Sequence, residues 1–242
     1  MHADTSGPIR PSTASGYRRA LAVVDDASRW VYIALLRIAN MISVACALRL
    51  ILRDAANGES VLRTKILRTD NGGEFKNSAV DKLLAEGDIL REYTCVGTSH
   101  QNPVAERALG VLFAMARTML IDSSLPPQFW GEALMAAAHV RNRMPCSSNP
   151  NNASPFEMRF GKRPDLCHLR PFGVTAFVRI QKHITKISSR ALQGFLVGYG
   201  HSISNQKGWR IFLPAENKVV TTTEVKFETS ISASINLSLI HI

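Results

Sequence analysis

The segment KILRTDNGGEF, residues 65–75, decides how the fold is interpreted. Residues 61–69 predict a strand, and Asn71, Gly72 and Gly73 predict a sharp turn directly after it. Asp70 therefore stands where a strand ends. Hard divalent cations that activate water on phosphates take oxygen ligands, so this placement prompts a search for further acids.

Two other carboxylates fit such a site. Asp4 lies in HADTSGP, residues 2–8, on an early strand ahead of the first hairpin, and Glu106 lies one turn into a predicted helix. Each has an ordinary explanation as well, because Asp favours turns and termini and Glu favours the first turn of a helix. The arrangement is more informative than any single acid, since 35 residues separate Asp70 from Glu106.

Hydrophobic patterning predicts a mixed domain followed by a smaller one made of strands. Apolar runs at 20–25 and 30–36, separated by a polar turn, indicate a β-hairpin. Helices are predicted at 38–55, 78–86, 104–121 and 128–142. Short strands are predicted at 175–180, 195–198, 209–213, 219–222 and 224–227. Glycines between these strands are typical of a small β barrel or sandwich.

Composition excludes several classes of protein. The chain has 242 residues, 45% of them hydrophobic, which excludes disorder as a description of the whole. It has no stretch of about 18 uninterrupted apolar residues and no secretory signal pattern, which predicts an intracellular protein without a membrane span. Its four cysteines form no C-x-x-C pair, and His100, His139 and His168 have no partners at zinc spacing, so neither a disulfide scaffold nor a zinc site is expected.

The positive charge is concentrated near the C-terminus. The formal net charge is +10, and residues 161–242 hold 11 basic and 4 acidic residues, a net charge of +7. Such a surface suits a polyanion such as nucleic acid, although a solvated surface that only improves solubility would have the same composition.

Ten short motifs carry a resemblance to a known family. They are HADTSGP (2–8), VDDASR (24–29), LRTDNGGEF (67–75), AER (105–107), ARTML (116–120), LP (125–126), FWGEA (129–133), NRMP (142–145), PFE (155–157) and HLRPFG (168–173). In this order they resemble the integrases of copia-type long-terminal-repeat retrotransposons, which are related to retroviral integrases and are encoded within a Pol polyprotein. The likeness runs from about residue 2 to residue 228.

The resemblance implies an α/β fold, with a ribonuclease-H-like mixed sheet flanked by helices and followed by a small C-terminal β barrel. It implies a catalytic core at residues 1–146, a linker at 147–167, a basic barrel at 168–228 and a disordered tail at 229–242. It also suggests a fragment or a decayed copy of a longer polyprotein.

By the same resemblance, Asp4, Asp70 and Glu106 would be the catalytic residues and metal ligands. They would bind two Mg²⁺ or Mn²⁺ ions, which in such sites lie about 3.5–4 Å apart. The implied activity is that of a polynucleotidyl transferase, with water as the nucleophile in 3′-end processing and a DNA 3′-hydroxyl in strand transfer. Asp25 and Asp26 fit the hairpin better than a metal site, and Glu74 is expected to be structural or solvated.

The implied partners are the DNA ends of the element, the target DNA and further copies of the chain. DNA contacts are expected at Asn71, Gln101, Asn102, Arg107, Lys182, Lys186 and Arg190. The predicted location is intracellular, and nuclear when the protein acts on chromosomal DNA.

The catalytic helix departs from the family pattern. Pro103 stands where Gly is usual, Ser99 where Pro is usual, and Leu109 and Gly110 replace polar and basic residues. Proline should stiffen the loop before the helix, and Gly110 should weaken the helix. Two alternatives to an active integrase therefore stay open: a decayed or domesticated DNA-binding remnant, and a plain nuclease of the same fold.

Overall fold

The computed structural model describes residues 1–57, 64–93, 102–179, 190–200 and 208–228. The strands in this part of the chain are β1 His2–Thr5, β2 Arg19–Val24, β3 Val31–Leu36, β4 Ile66–Thr69, β5 Leu90–Tyr93, β6 Thr175–Arg179, β7 Ala191–Tyr199, β8 Trp209–Leu213, β9 Lys218–Thr222 and β10 Val225–Phe227. The α-helices are α1 Met41–Asn57, α2 Ser78–Glu86, α3 Pro103–Ser123, α4 Trp130–Arg141 and α5 Pro155–Phe160.

The first five strands form one mixed sheet in the order β3-β2-β1-β4-β5. The first three strands are antiparallel, as the predicted hairpin requires, and β4 and β5 run parallel to β1. The predicted mixed sheet flanked by helices is confirmed.

Both faces of this sheet are buried, and β2 shows why. Leu21 and Val23 join a cluster with residues of α1 and α2 on one face, while Ala20 and Ala22 join residues of α3 and α4 on the other. A strand covered on both faces is apolar throughout rather than alternating, which explains the continuous run at residues 20–24.

The hairpin between β2 and β3 is closed by its own polar residues. Asp25 Oδ2 accepts hydrogen bonds from the backbone N–H and the hydroxyl of Ser28, at 3.0 and 2.5 Å. Arg29 completes the turn with a left-handed backbone, φ 62°. Asp26 pairs with Arg29 at 2.8 Å, so both aspartates serve the turn.

The C-terminal strands form a second sheet, antiparallel, in the order β10-β6-β7-β8-β9. The predicted barrel is wrong in one respect: among the described residues this sheet is open, with β9 and β10 at opposite edges. The physical reason is that the first domain covers part of the sheet. Val197 and Phe212 pack against Leu125 and Phe129, and this contact buries apolar surface without closure of the strands.

Two elements were not predicted. β5 lacks an alternating apolar pattern, because three of its four residues are exposed at the edge of the sheet. α5 lies inside residues 147–167 and begins with a capping box, in which the Ser154 hydroxyl accepts from the Glu157 N–H and the Glu157 carboxylate accepts from the Ser154 N–H. The Ser-x-x-Glu spacing was the signal that could have identified it.

α5 packs on the first sheet through aromatic rings. Phe160 meets Trp30 edge to face at 5.6 Å, and the Arg159 guanidinium lies over the Trp30 ring at 4.8 Å. In the described ranges, none of the helices combines the length and the apolar character needed to cross a bilayer.

Candidate active site

Strand direction brings Asp4 and Asp70 to one edge of the first sheet. β1 and β4 are parallel neighbours, with His2 opposite Arg68. Parallel strands have their carboxyl ends at the same edge. Asp4 is the third residue of β1 and Asp70 directly follows β4, so the two half-buried side chains lie at that common edge.

Glu106 belongs to the same region because the start of α3 is tied to β1. The buried Asn102 directly precedes the helix, and its Nδ2 donates a hydrogen bond to the carbonyl of Ala3 at 2.8 Å. Its Oδ1 lies 3.1 Å from Nδ1 of His2. These two contacts hold the first turn of α3 next to β1, and Glu106 lies exposed on that turn.

Glu74, which was expected to be structural or solvated, adds a fourth carboxylate at this edge. Its Oε1 accepts a hydrogen bond from the hydroxyl of Thr5 at 3.0 Å. A Cβ on Gly72 would lie 2.6 Å from Glu74 Oε2 and 3.0 Å from Asp70 Oδ1, so the two carboxylates close over the glycine. The sequence signal was its position in the same turn as Asp70, four residues later.

The electrostatics of Asp4 show that these acids influence one another. The pKa of Asp4 is raised to about 6, chiefly by burial and also by the negative charges of Asp70, Glu106 and Glu74, against a backbone hydrogen bond from Thr5 that lowers it. At neutral pH the edge of the sheet therefore concentrates negative charge, which a bound divalent cation would neutralise.

The chemistry of this donor set fits a hard cation. It consists of carboxylate oxygens, which Mg²⁺ and Mn²⁺ prefer, and it has neither thiolate nor imidazole. Across the described ranges, however, no group of three or more His, Cys, Asp or Glu side chains is drawn together closely enough to hold a metal ion. The residues therefore fit the metal by donor type and shared charge, and the metal's identity stays a prediction.

The residues predicted to contact DNA fall into three groups. Asn71, Arg107 and Arg190 are exposed, the first beside Asp70 and the second beside Glu106. Asn102 is buried, and both ends of its side-chain amide bond to β1, so its visible role is to anchor α3. Gln101, Lys182 and Lys186 lie outside the described residues.

The departures from the family pattern have simple structural explanations. Pro103 is the first residue of α3, where its fixed φ suits the helix and its missing N–H would have no helical partner. Leu109 is buried in the core against the sheet. Gly110 is exposed, and nothing lies within 4 Å of where its Cβ would be.

Two histidines without any spacing signal meet between the two sheets. Nε2 of His139 on α4 lies 2.8 Å from Nε2 of His168, and the His139 ring stacks on Tyr199 of β7 at 4.2 Å. The sequence places no partner at zinc-binding spacing from either histidine. The contact between the two histidines arises from the tertiary structure alone. Trp130 on α4 packs in the core, with its indole N–H donating to the carbonyl of Pro11 at 3.0 Å.

The fold belongs to an integrase-like class, as comparison with solved structures shows. The catalytic core domain of BIV integrase matches 66% of this chain and 92% of its own, with a TM-score of 0.50 and 16% identity. An intasome of simian T-cell lymphotropic virus, solved in complex with the PP2A regulatory subunit B56 gamma, has a chain that matches 96% of this one and 78% of its own, with a TM-score of 0.55 and 14% identity. At such identities the likeness concerns the fold.

Relatives found by sequence indicate a narrower class of protein, the Pol polyproteins of retrotransposons. Residues 174–238 match the family described as Retroviral polymerase SH3-like domain. The retrovirus-related Pol polyprotein from transposon TNT 1-94 of Nicotiana tabacum is 29% identical over 231 residues, 95% of this chain and 17% of that protein. The transposon Ty1-LR3 Gag-Pol polyprotein of Saccharomyces cerevisiae is 29% identical over 226 residues, 92% of this chain and 12% of that protein.

The chain is thus similar to parts of retrotransposon Pol polyproteins and shares the fold of retroviral integrases, in agreement with the resemblance of its motifs. It spans less than a fifth of the length of either curated relative.

Proposed function

We propose that the chain is the core of a DNA integrase that processes DNA 3′ ends and joins them to target DNA with the help of a divalent metal. One observation carries the proposal: the charges of Asp70, Glu74 and Glu106 all act on the half-buried Asp4. In a domain with this fold, such a concentration of carboxylates suits phosphodiester chemistry better than a structural role, because it destabilises the protein unless a cation is bound.

In this proposal Asp4, Asp70 and Glu106 would hold Mg²⁺ or Mn²⁺, and the bound metal would supply charge stabilisation to the attacking and leaving oxygens. Thr5 orients Glu74 through its hydroxyl, and Asn102 sets the position of Glu106 by fixing the start of α3. Asn71, Arg107 and Arg190, which are exposed, would contact DNA phosphates.

The proposed partners are element ends, target DNA and further copies of the chain, since joining two ends requires more than one active site. The excess of basic over acidic residues in the sequence supports a polyanionic partner. The proposed location is intracellular, and nuclear during action on chromosomal DNA.

A second candidate is a DNA-binding remnant that has lost catalysis. It is favoured by the exposure of Glu106 and by the spacing of the described acids, which are not gathered closely enough to hold an ion. Under this reading the fold and the basic surface remain, and the carboxylates have no reaction to support.

The experiment that separates these candidates is metal-dependent joining of a labelled duplex, ending in the terminal sequence of the parent element, to plasmid DNA. The integrase proposal expects joined product with Mg²⁺ or Mn²⁺ and none from Asp70→Asn. Asp88→Asn, which alters an exposed acid after α2, should retain the activity. Cleavage without joining would indicate a nuclease, and DNA binding without either reaction would indicate the remnant.

A further inference from the structure

An aromatic residue flanked by two cations lies beside Asp70 and has no role in the site described above. Tyr93 ends β5, and the parallel pairing of β4 with β5 sets it opposite Thr69, the residue before Asp70. Neighbouring strands lie about 4.8 Å apart, so Tyr93 is adjacent to the carboxylate edge. Its side chain is partly exposed.

Lys76 is one of the two cations. It belongs to the turn that follows Asp70, and its ammonium lies 5.8 Å from the centre of the Tyr93 ring. It is exposed and makes no ion pair with any acid in the described ranges. An exposed ammonium of this kind is available to an anion from solution.

Arg91 is the other cation, and it is a positioning residue. Its side chain is only 9% exposed, and Nη1 donates to Asp81 at 2.6 Å and to the Tyr93 hydroxyl at 2.8 Å. Its guanidinium also lies 5.4 Å from the centre of the Tyr93 ring. Because the Tyr93 oxygen accepts from Arg91, its own hydrogen remains available for donation to another acceptor.

We propose that Lys76 and Tyr93 bind a phosphate of the DNA backbone next to Asp70, with Arg91 holding Tyr93 in place. The proposal rests on the proposed function for its DNA substrate. An ammonium and a hydroxyl donor side by side match the oxygens of a phosphodiester, and neither group reads base sequence. The pair therefore orients the strand and does not select its sequence.

The test is the salt dependence of binding to a duplex of arbitrary sequence, measured in metal-free buffer so that no reaction takes place. Each duplex phosphate neutralised by a cation contributes about 0.9 to the slope of log K against log salt. Lys76→Gln should reduce the magnitude of this negative slope by about one, and Lys76→Arg should restore the wild-type slope. Lys82→Gln, which removes the same charge from an exposed site on α2, should leave the slope unchanged.

Tyr93→Phe supplies a second variant that keeps the ring and removes the hydroxyl donor. It should weaken binding several-fold and to the same degree on unrelated sequences. Thermal unfolding of each variant checks that the fold is retained.

The proposal is overturned if Lys76→Gln and Lys82→Gln behave alike, or if the wild-type chain does not bind DNA. The outcomes also distinguish a failure of the phosphate site from a failure of the catalytic proposal. Joining activity with an unchanged Lys76→Gln slope would reject the phosphate site and keep the integrase. A reduced slope in a chain that joins nothing would keep the phosphate site and reject the catalytic proposal.

Discussion

At the scale of single residues, Asp4 combines burial with like charges. Its pKa is raised to about 6 by burial first and then by the other three carboxylates, so at neutral pH its ionised form opposes folding. A raised carboxyl pKa means that this group favours the folded state at low pH and loses that contribution as the pH rises through 6. The ionised Asp4 carboxylate therefore lowers the stability of the folded protein at neutral pH.

We predict that Asp4→Asn raises the melting temperature in metal-free buffer at pH 7.5 and abolishes joining. The neutral amide keeps the shape and removes the charge that burial and the neighbouring acids disfavour. Each kcal/mol gained corresponds to about 2–4 °C for a chain of this size. Asp122→Asn, at an exposed carboxylate on α3, should change the melting temperature little, and a melting temperature of Asp4→Asn at or below the wild-type value would contradict the prediction.

Gly72 gives a second prediction at this scale. A methyl group there would meet the carboxylates of Glu74 and Asp70, which are ends of flexible side chains and can move aside. Gly72→Ala should therefore lower joining activity at least tenfold while changing the melting temperature by only a few degrees. Gly73→Ala, where nothing lies within 4 Å of the added carbon, should retain activity, and equal activities would show that the carboxylate positions are not critical.

At the scale of elements, one face of α3 packs in the core and the other lies near the carboxylate edge. Leu109, Leu112 and Ala116 pack against the sheet, while Glu106 and Arg107 face outward near the carboxylate edge. Of the departures from the family pattern, Pro103 is accommodated as the first residue of the helix and Leu109 is accommodated in the core. Gly110 is exposed inside the helix, where glycine is unfavourable.

We predict that Gly110→Ala stabilises the chain by up to about 1 kcal/mol, because alanine restricts the unfolded backbone and its methyl has free space. Urea unfolding should show a higher midpoint with an unchanged slope. The opposite result is expected for Gly173→Ala, because Gly173 has φ +80° and its Cβ would collide with Ser123. If both variants shifted the midpoint in the same direction, this explanation would be wrong.

At the scale of the whole molecule, the two sheets are joined by a packed interface. Arg210 of β8 makes two hydrogen bonds to the carboxylate of Glu132 on α4, at 2.9 and 2.6 Å. Phe129 meets Phe212 edge to face at 4.7 Å, next to the contact between His139 and Tyr199. The second sheet is therefore held in a fixed orientation relative to the carboxylate edge.

The histidine contact makes this interface sensitive to pH. Burial lowers the pKa of His168, the positive charges of Arg143 and Arg170 lower it further, and the Asp165 carboxylate opposes them. A lowered histidine pKa gives stability that is present above about 6.5, the unfolded value, and is lost as the pH falls below it.

We predict that lowering the pH from 7 to 5 is less favourable to the folded state of the wild-type chain than to that of His168→Gln, because the opposite contribution of Asp4 is common to both proteins. Urea unfolding at several pH values gives the slope of the free energy of unfolding against pH for the variant and for the wild type. Identical pH dependence for the variant and the wild type would show that His168 stays uncharged or unaffected by the interface.

The sequence by itself determined the features that depend on neighbouring residues. The Asn-Gly-Gly turn after β4, the apolar strand β2 and the periodic apolar face of α3 could each be predicted, and the ordered motifs indicated the family. Their physical causes are local: turn geometry, strand and helix periodicity, and the position of polar residues at element ends.

Only the tertiary structure decided which distant residues meet. The Thr5 hydroxyl bonds to Glu74, the Asn102 amide bonds to β1, and His139 reaches His168 across 29 residues. The open second sheet also depends on such contacts, because Val197 and Phe212 are covered by Leu125 and Phe129 of the first domain. Local patterns hold no information on sheet order or on how two domains pack, since both follow from the burial of surfaces that are far apart in the sequence.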